Sequence, residues 1–205
     1  KEALKADFQG YENLRQYLLN KIPKLGHPND EIREFAKGVL KDIARHSSGI
    51  PNARGGYYEA SLFTFYAFDW FKDSRATADG RKKGMILSRG VNPGETTKNV
   101  DAATLLYSQN NLDYTDYPGG AILYMELPVA KTETEEGVFT GVLRQFIKTG
   151  GNIMDFNVVD KKKLLEAQKH PETYRNIVVR VCGYSALFHS LGKDMQDEII
   201  ARVAR

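Results

Sequence analysis

The segment Ser61 to Phe71, SLFTFYAFDWF, constrains the fold of this chain more than any other stretch. Alternate residues of a strand face opposite ways, so Leu62, Thr64, Tyr66, Phe68 and Trp70 share one face while Phe63, Phe65 and Phe71 share the other. Both faces are apolar, which predicts a strand covered on both sides. A sheet flanked by helices or a closed barrel meets that demand. With 205 residues, 41% of them hydrophobic, the chain can bury such a core.

Elsewhere helix and strand signals alternate. Leu4, Phe8, Tyr11, Leu14, Leu18 and Leu19 recur at helical spacing and predict a helix over 2–20, broken by Pro23, Gly26 and Pro28. Asp30 reads as the cap of a second helix reaching His46, followed by a loop to Gly56. Asp79-Gly80 marks a tight turn, and Gly84, Gly90, Pro93 and Gly94 punctuate a long connection. A short helix is expected over 101–108, a strand over 121–127 and an amphipathic helix over 135–148 ending at Gly150-Gly151. Strand 153–159, helix 161–170, strand 177–181 and a closing helix over 194–203 complete an α/β pattern. There is no internal repeat.

Charge and cysteine content narrow the function classes. A net charge of +3, from 29 basic and 26 acidic residues spread along the chain, gives no basis for a nucleic-acid partner. Lys161, Lys162 and Lys163 read as a solvated helix start. No apolar run approaches the ~20 residues of a membrane span and no signal-peptide pattern opens the chain, so a cytoplasmic setting is expected. The single cysteine, Cys182, excludes an internal disulfide and a cysteine cluster supplied by this chain alone. His27, His46, His170 and His189 lack metal-ligand spacing, and no metal site is expected. Dinucleotide, Walker and nucleophile-elbow motifs are absent. The chain opens at Lys1 directly into a helical pattern, which reads as a piece of something longer.

The strand over 177–181 runs straight into Cys182-Gly183-Tyr184-Ser185. Taken alone, Gly183 is most simply a turn residue with positive φ. The string RVCGYSALF, Arg180 to Phe188, however, resembles the signature of the glycyl radical enzymes, the family of pyruvate formate-lyase and the diol, choline and hydroxyproline lyases. GGNIMDFNVVD and AQKHPETYRNIVVRV upstream, Gln196 to Arg202 downstream, and ATADGRKKG, GYENLRQYLLN and PKLG further back resemble the same family in the same order. The resemblance spans essentially the whole chain.

It implies an α/β fold: the carboxy-terminal part of a glycyl radical enzyme barrel, with the glycyl radical loop inserted into the barrel centre. Residues 1–128 would be the carboxy-terminal part of the pyruvate formate-lyase-like domain and 129–205 the glycine radical domain. Gly183 would be the catalytic residue, within a radical loop of Arg180, Val181, Cys182, Tyr184 and Ser185. The chemistry suits glycine. An α-carbon radical is stabilised by the amide nitrogen on one side and the carbonyl on the other when the centre can flatten, and no Cβ obstructs that or shields the hydrogen.

By the same resemblance no cofactor is bound permanently. A separate iron-sulfur activase would use S-adenosylmethionine to install the radical. The radical would then oxidise a cysteine to a thiyl. That cysteine lies far upstream in the family, so it must be outside this chain, in the upstream part of the enzyme or a partner chain, and Cys182 reads as a packing residue. The implied activity is anaerobic cleavage of a C–C, C–O, C–N or C–S bond in a small molecule by a glycyl radical lyase or dehydratase, and the resemblance implies a homo-oligomer. Two other readings stay open: a stand-alone spare part that docks onto an oxygen-cleaved enzyme, and an α/β domain without a radical. Asp79 to Gly84 and Gly90 to Gly94 resemble loops near the family's active-site end, or merely shape connections; Asn92-Pro93 is closer to pyruvate formate-lyase than to diol dehydratases. Tyr58, Tyr66, Asn92 and Pro93 are substrate-pocket candidates, with core packing the alternative for the two tyrosines.

Overall fold

The computed structural model describes residues 1–63, 73–98, 100–127, 132–181 and 183–202. The greater part of the 61–71 strand, with Tyr66, lies outside the described residues, as do Cys182 and Val203. Within them, Leu62 bridges Ala121 in parallel, which sets that segment beside the central sheet.

The expected helix over 2–20 is two helices, α1 (Glu2–Lys5) and α2 (Glu12–Asn20). Asp7 and Phe8 take positive φ between them, and the reversal buries Phe8 against Ala3, Ala76, Leu4 and Leu18. An apolar period of three to four residues does not distinguish that turn from a continuous helix. Helix α3 (Asp30–Ser47) begins one residue after its true cap: the Asn29 side chain, not that of Asp30, accepts from the Ile32 amide. The expected loop over 47–56 holds β1 (Ile50–Pro51), paired antiparallel with β2 (Tyr57–Tyr58).

The connection over 73–98 has no helix or strand but is closely organised. Buried Arg81 spreads its guanidinium over the Ser74 hydroxyl and the carbonyls of Arg75, Lys82 and Met85. Thr77 and Thr96 both donate to Asp79, and Lys24 Nζ donates to the Asp79 carbonyl at 2.7 Å.

Beyond it come α4 (Ala102–Asn110), capped by Asp101, then β3 (Ile122–Leu127), α5 (Glu133–Lys148) and β4 (Ile153–Val158). Strands β3 and β4 pair in parallel from Ile122↔Ile153 to Leu127↔Val158, the arrangement a helical crossover produces. Helix α6 (Lys161–Lys169), capped by Asp160, leads to the antiparallel hairpin β5 (Val178–Arg180) and β6 (Ser185–Leu187). A 3₁₀ turn over Phe188–Ser190 and α7 (Lys193–Arg202) close the described chain.

Two main apolar cores result. Leu123, Met125 and Leu127 of β3 pack with Leu105, Leu106, Val142 and Phe146 of α4 and α5. Val179, Val181 and Phe188 pack with Leu164, Ala167, Met195, Ile199 and Ile200 from α6 and α7. The mixed α/β character expected from the sequence is observed.

Candidate functional site

Register divides the β3–β4 pair into two faces. Leu123, Met125 and Leu127 stand with Met154, Phe156 and Val158 on the face toward α4 and α5, where Phe156 meets Phe139 edge-on at 5.0 Å. The opposite face carries Tyr124 beside Asp155 and Glu126 beside Asn157. Asp155 and Asn157 are 8% and 7% exposed, whereas their apolar neighbours Phe156 and Val158 are 36% and 48% exposed. This inverts the usual sorting of a strand, and buried polar side chains of this kind require partners.

The partners are on the β5–β6 hairpin. Asn157 Nδ2 donates to the Arg180 carbonyl at 2.8 Å while its Oδ1 accepts from the Arg180 amide. The side chain thereby acts as one more strand residue. Asp155 divides its carboxylate: Oδ1 accepts from Arg180 Nε at 3.1 Å, and Oδ2 accepts from the backbone amide of Gly183 at 3.0 Å. Arg180 Nη1 also lies 3.5 Å from Ser185 Oγ.

Gly183 therefore sits in the turn between β5 and β6, spanned by a bond from the Val181 amide to the Tyr184 carbonyl. Its φ is +80°, the left-handed region where a Cβ is strained. Space is not what demands glycine, because among the described residues an added Cβ would meet only the Phe63 ring edge at 3.4 Å. Val181 is fully buried in the second core and anchors the loop, while Gly183, Tyr184 and Ser185 are exposed within this chain. The expected insertion of this turn into an enclosed centre is thus not met by the chain itself.

Glu126 completes the polar face. Burial pushes its carboxyl up to about 7; the charge of Asp155 adds to that rise and the nearby Arg89 opposes it. Arg89 itself pairs with buried Glu198 of α7. The sequence reading missed Asp155 and Asn157. Their signal was present in IMDFNVV, where two polar residues stand two apart on one face of an apolar strand.

Of the pocket candidates, Asn92 and Pro93 line a cavity of about 410 Å³ together with Arg89, Tyr124 and Glu126. Asn92 is also a fastener: Nδ2 donates to the Tyr124 carbonyl at 2.7 Å and Oδ1 accepts from the Tyr124 amide at 2.8 Å. Pro93 packs on Gly26. Tyr58 is 60% exposed on β2 and lines neither this cavity nor a neighbouring apolar one of about 420 Å³. At the Asp79 turn, burial acts to raise the carboxyl pKa, but hydrogen bonds from Thr77 and Thr96 hold it below the ordinary value. That loop is a closed structural network in this chain. No group of His, Cys, Asp and Glu placed to hold a metal ion occurs among the described residues, and no helix there is long and apolar enough to cross a membrane.

Comparison with known proteins matches two family profiles, Pyruvate formate lyase-like over residues 1–71 and Glycine radical over residues 87–189. Trans-4-hydroxy-L-proline dehydratase of Clostridioides difficile is 30% identical, over 98% of this chain and 26% of the relative. Probable dehydratase YbiW of Escherichia coli is 34% identical, over 98% of this chain and 26% of the relative. The B12-independent glycerol dehydratase of Clostridium butyricum superimposes with a TM-score of 0.90 at 32% identity, covering 98% of this chain and 26% of that one. The chain thus spans about a quarter of the length of these relatives.

Proposed function

This chain belongs to the glycyl radical enzymes, and from that premise we propose that it is the radical-storing part of a lyase or dehydratase, with the unpaired electron held on Gly183. The observation that carries the proposal is the glycine radical match over residues 87–189, within which Gly183 occupies a hairpin turn tied to a buried carboxylate. The amide on either side of Gly183 would share the spin, and its lack of a Cβ lets the carbon flatten.

In the proposed cycle an iron-sulfur activase would give one electron to S-adenosylmethionine, breaking its S–C5′ bond into methionine and an adenosyl carbon radical, and that radical would take a hydrogen atom from the Gly183 α-carbon to become 5′-deoxyadenosine. One electron of the broken C–H bond leaves with that hydrogen and the other stays on Gly183. The glycyl centre then takes a hydrogen atom from a cysteine thiol outside this chain, restoring its C–H bond and leaving a thiyl radical. That thiyl would begin cleavage of a C–C, C–O, C–N or C–S bond in a small molecule, without oxygen, in the cytoplasm.

Division at 128/129 into a barrel part and a radical part, the arrangement of the turn inside a closed barrel, and homo-oligomeric assembly belong to the same proposal. So do pocket roles for Asn92 and Pro93, supported by the cavity they line beside Glu126. The exposure of Gly183 within this chain means that its shelter from oxygen must come from the rest of the enzyme or from a partner. A pyruvate formate lyase-like match over residues 1–71 favours an integral part of an enzyme over a stand-alone spare part, which would resemble only the terminal portion.

The test is electron paramagnetic resonance of the full-length protein, incubated anaerobically with S-adenosylmethionine and an activase already shown to be competent. A doublet is expected, absent in Gly183→Ala, and oxygen should cut the chain near residue 183. Silence of the native protein under those conditions overturns the proposal.

A further inference from the structure

Among the described residues, Asp155 is a buried carboxylate that reaches the proposed radical residue, and it does so at an atom that shares the spin. Its Oδ2 accepts the Gly183 amide hydrogen at 3.0 Å, its Oδ1 holds Arg180 Nε at 3.1 Å, and the side chain is 7% exposed. The next polar residue on that face, Asn157, grips both backbone groups of Arg180. One carboxylate and one amide on β4 therefore hold the turn at its β5 end and at Gly183 itself.

We infer that Asp155 is the positioning residue of the radical centre: it orients the Gly183 peptide plane and, through the hydrogen bond to its N–H, raises the electron-donating power of the nitrogen beside the unpaired electron. This rests on the radical reading above. A carbon radical flanked by a donor nitrogen and an acceptor carbonyl is more stable the stronger each partner is. A negatively charged acceptor on the N–H strengthens the donor, and within a buried setting that effect is little screened. No atom or electron moves to or from Asp155, which acts through the glycine peptide.

The experiment compares the native full-length enzyme with Asp155→Asn and Asp155→Ala, each labelled with ¹⁵N-glycine and activated anaerobically. Spin per chain, lifetime of the doublet and the ¹⁵N hyperfine coupling are recorded, with circular dichroism as the control for folding. Asp155→Ala is expected to shorten the radical lifetime about tenfold, the value of one charge-assisted hydrogen bond. Asp155→Asn keeps a carbonyl acceptor of the same shape, so spin yield should recover while the nitrogen coupling falls below the native value. A merely structural role would not change that coupling in a folded variant. If Asp155→Ala fails to fold, Asp155→Asn alone decides, because native lifetime and native ¹⁵N coupling in that variant overturn the inference while leaving the radical assignment intact. Absence of a doublet in the native enzyme overturns the radical assignment, and the role of Asp155 with it.

Discussion

At the scale of single residues, glycine at 183 is demanded twice. The turn requires φ of +80°, where a Cβ costs about 1–2 kcal/mol, and the proposed radical requires an α-carbon that can flatten. Because among the described residues an added Cβ meets only the Phe63 ring edge at 3.4 Å, Gly183→Ala should fold, with a melting temperature lowered by only a few degrees, and should lose the doublet entirely. Thermal melting alongside spin counting checks both halves. Glu126 supplies a pH dependence with a definite sign. Its carboxyl sits at about 7 in the fold against 4.5 for an unperturbed glutamate, so between those values the native state holds more protons than the unfolded chain. Stability is therefore expected to fall as pH rises from about 4.5 to 7 and to level above that, by on the order of 3 kcal/mol at most. Glu126→Gln should abolish the slope in denaturation midpoints measured across that range. Of this site, Gly183 and Arg180 were legible through the resemblance of RVCGYSALF to the glycyl radical signature, the glycine taken alone reading only as a turn residue. Asp155 was not, since a carboxylate in a strand announces its face but not the peptide it will meet 28 residues later.

At the scale of elements, the same device appears twice. Asn92 and Asn157 each present an amide to the backbone of a strand residue, Tyr124 and Arg180 respectively, and so supply the two bonds that a ladder partner would. Removing either amide deletes two hydrogen bonds to the backbone, at a cost of about 0.5–1.5 kcal/mol each. Asn157→Ala and Asn92→Ala are each expected to lower the melting temperature by roughly 5 °C or more, readable by calorimetry. Gly90 is less tolerant still: at φ +48° an added Cβ would lie 2.1 Å from the Ile122 carbonyl oxygen. Gly90→Ala should push the 90–92 segment off β3 and abolish soluble expression or lower stability beyond the asparagine variants. Helices were readable where a cap and a steady apolar period agreed, as in α4 and α6. The break between α1 and α2 was not, because burying Phe8 through two left-handed residues leaves the apolar spacing unchanged.

At the scale of the whole molecule, α3 keeps an apolar stripe uncovered. Phe35, Val39 and Ile43 recur every four residues and are 71%, 42% and 48% exposed, while Ala36, Leu40 and Ala44 on the other side pack inward. If the remainder of the proposed enzyme covers that stripe, Phe35→Glu should act with opposite signs in two settings. It should reduce aggregation and dye binding of the 205-residue chain, and weaken the full-length protein, as sedimentation and melting would show. The strand over 61–71 announced from sequence that covering on both sides was needed, but no single stretch of chain can name the surface that provides it. A mechanical consequence follows from how the two main cores meet. Each is sealed internally by apolar contact, yet the hairpin is bolted to β4 by Asp155 and Asn157, and α7 to the connection over 73–98 by the Arg89–Glu198 pair. Such bolts fix distance and angle, whereas apolar contact is non-directional. The turn carrying Gly183 is thus aimed by directional bonds, while the two cores supply a cohesion that has no direction of its own.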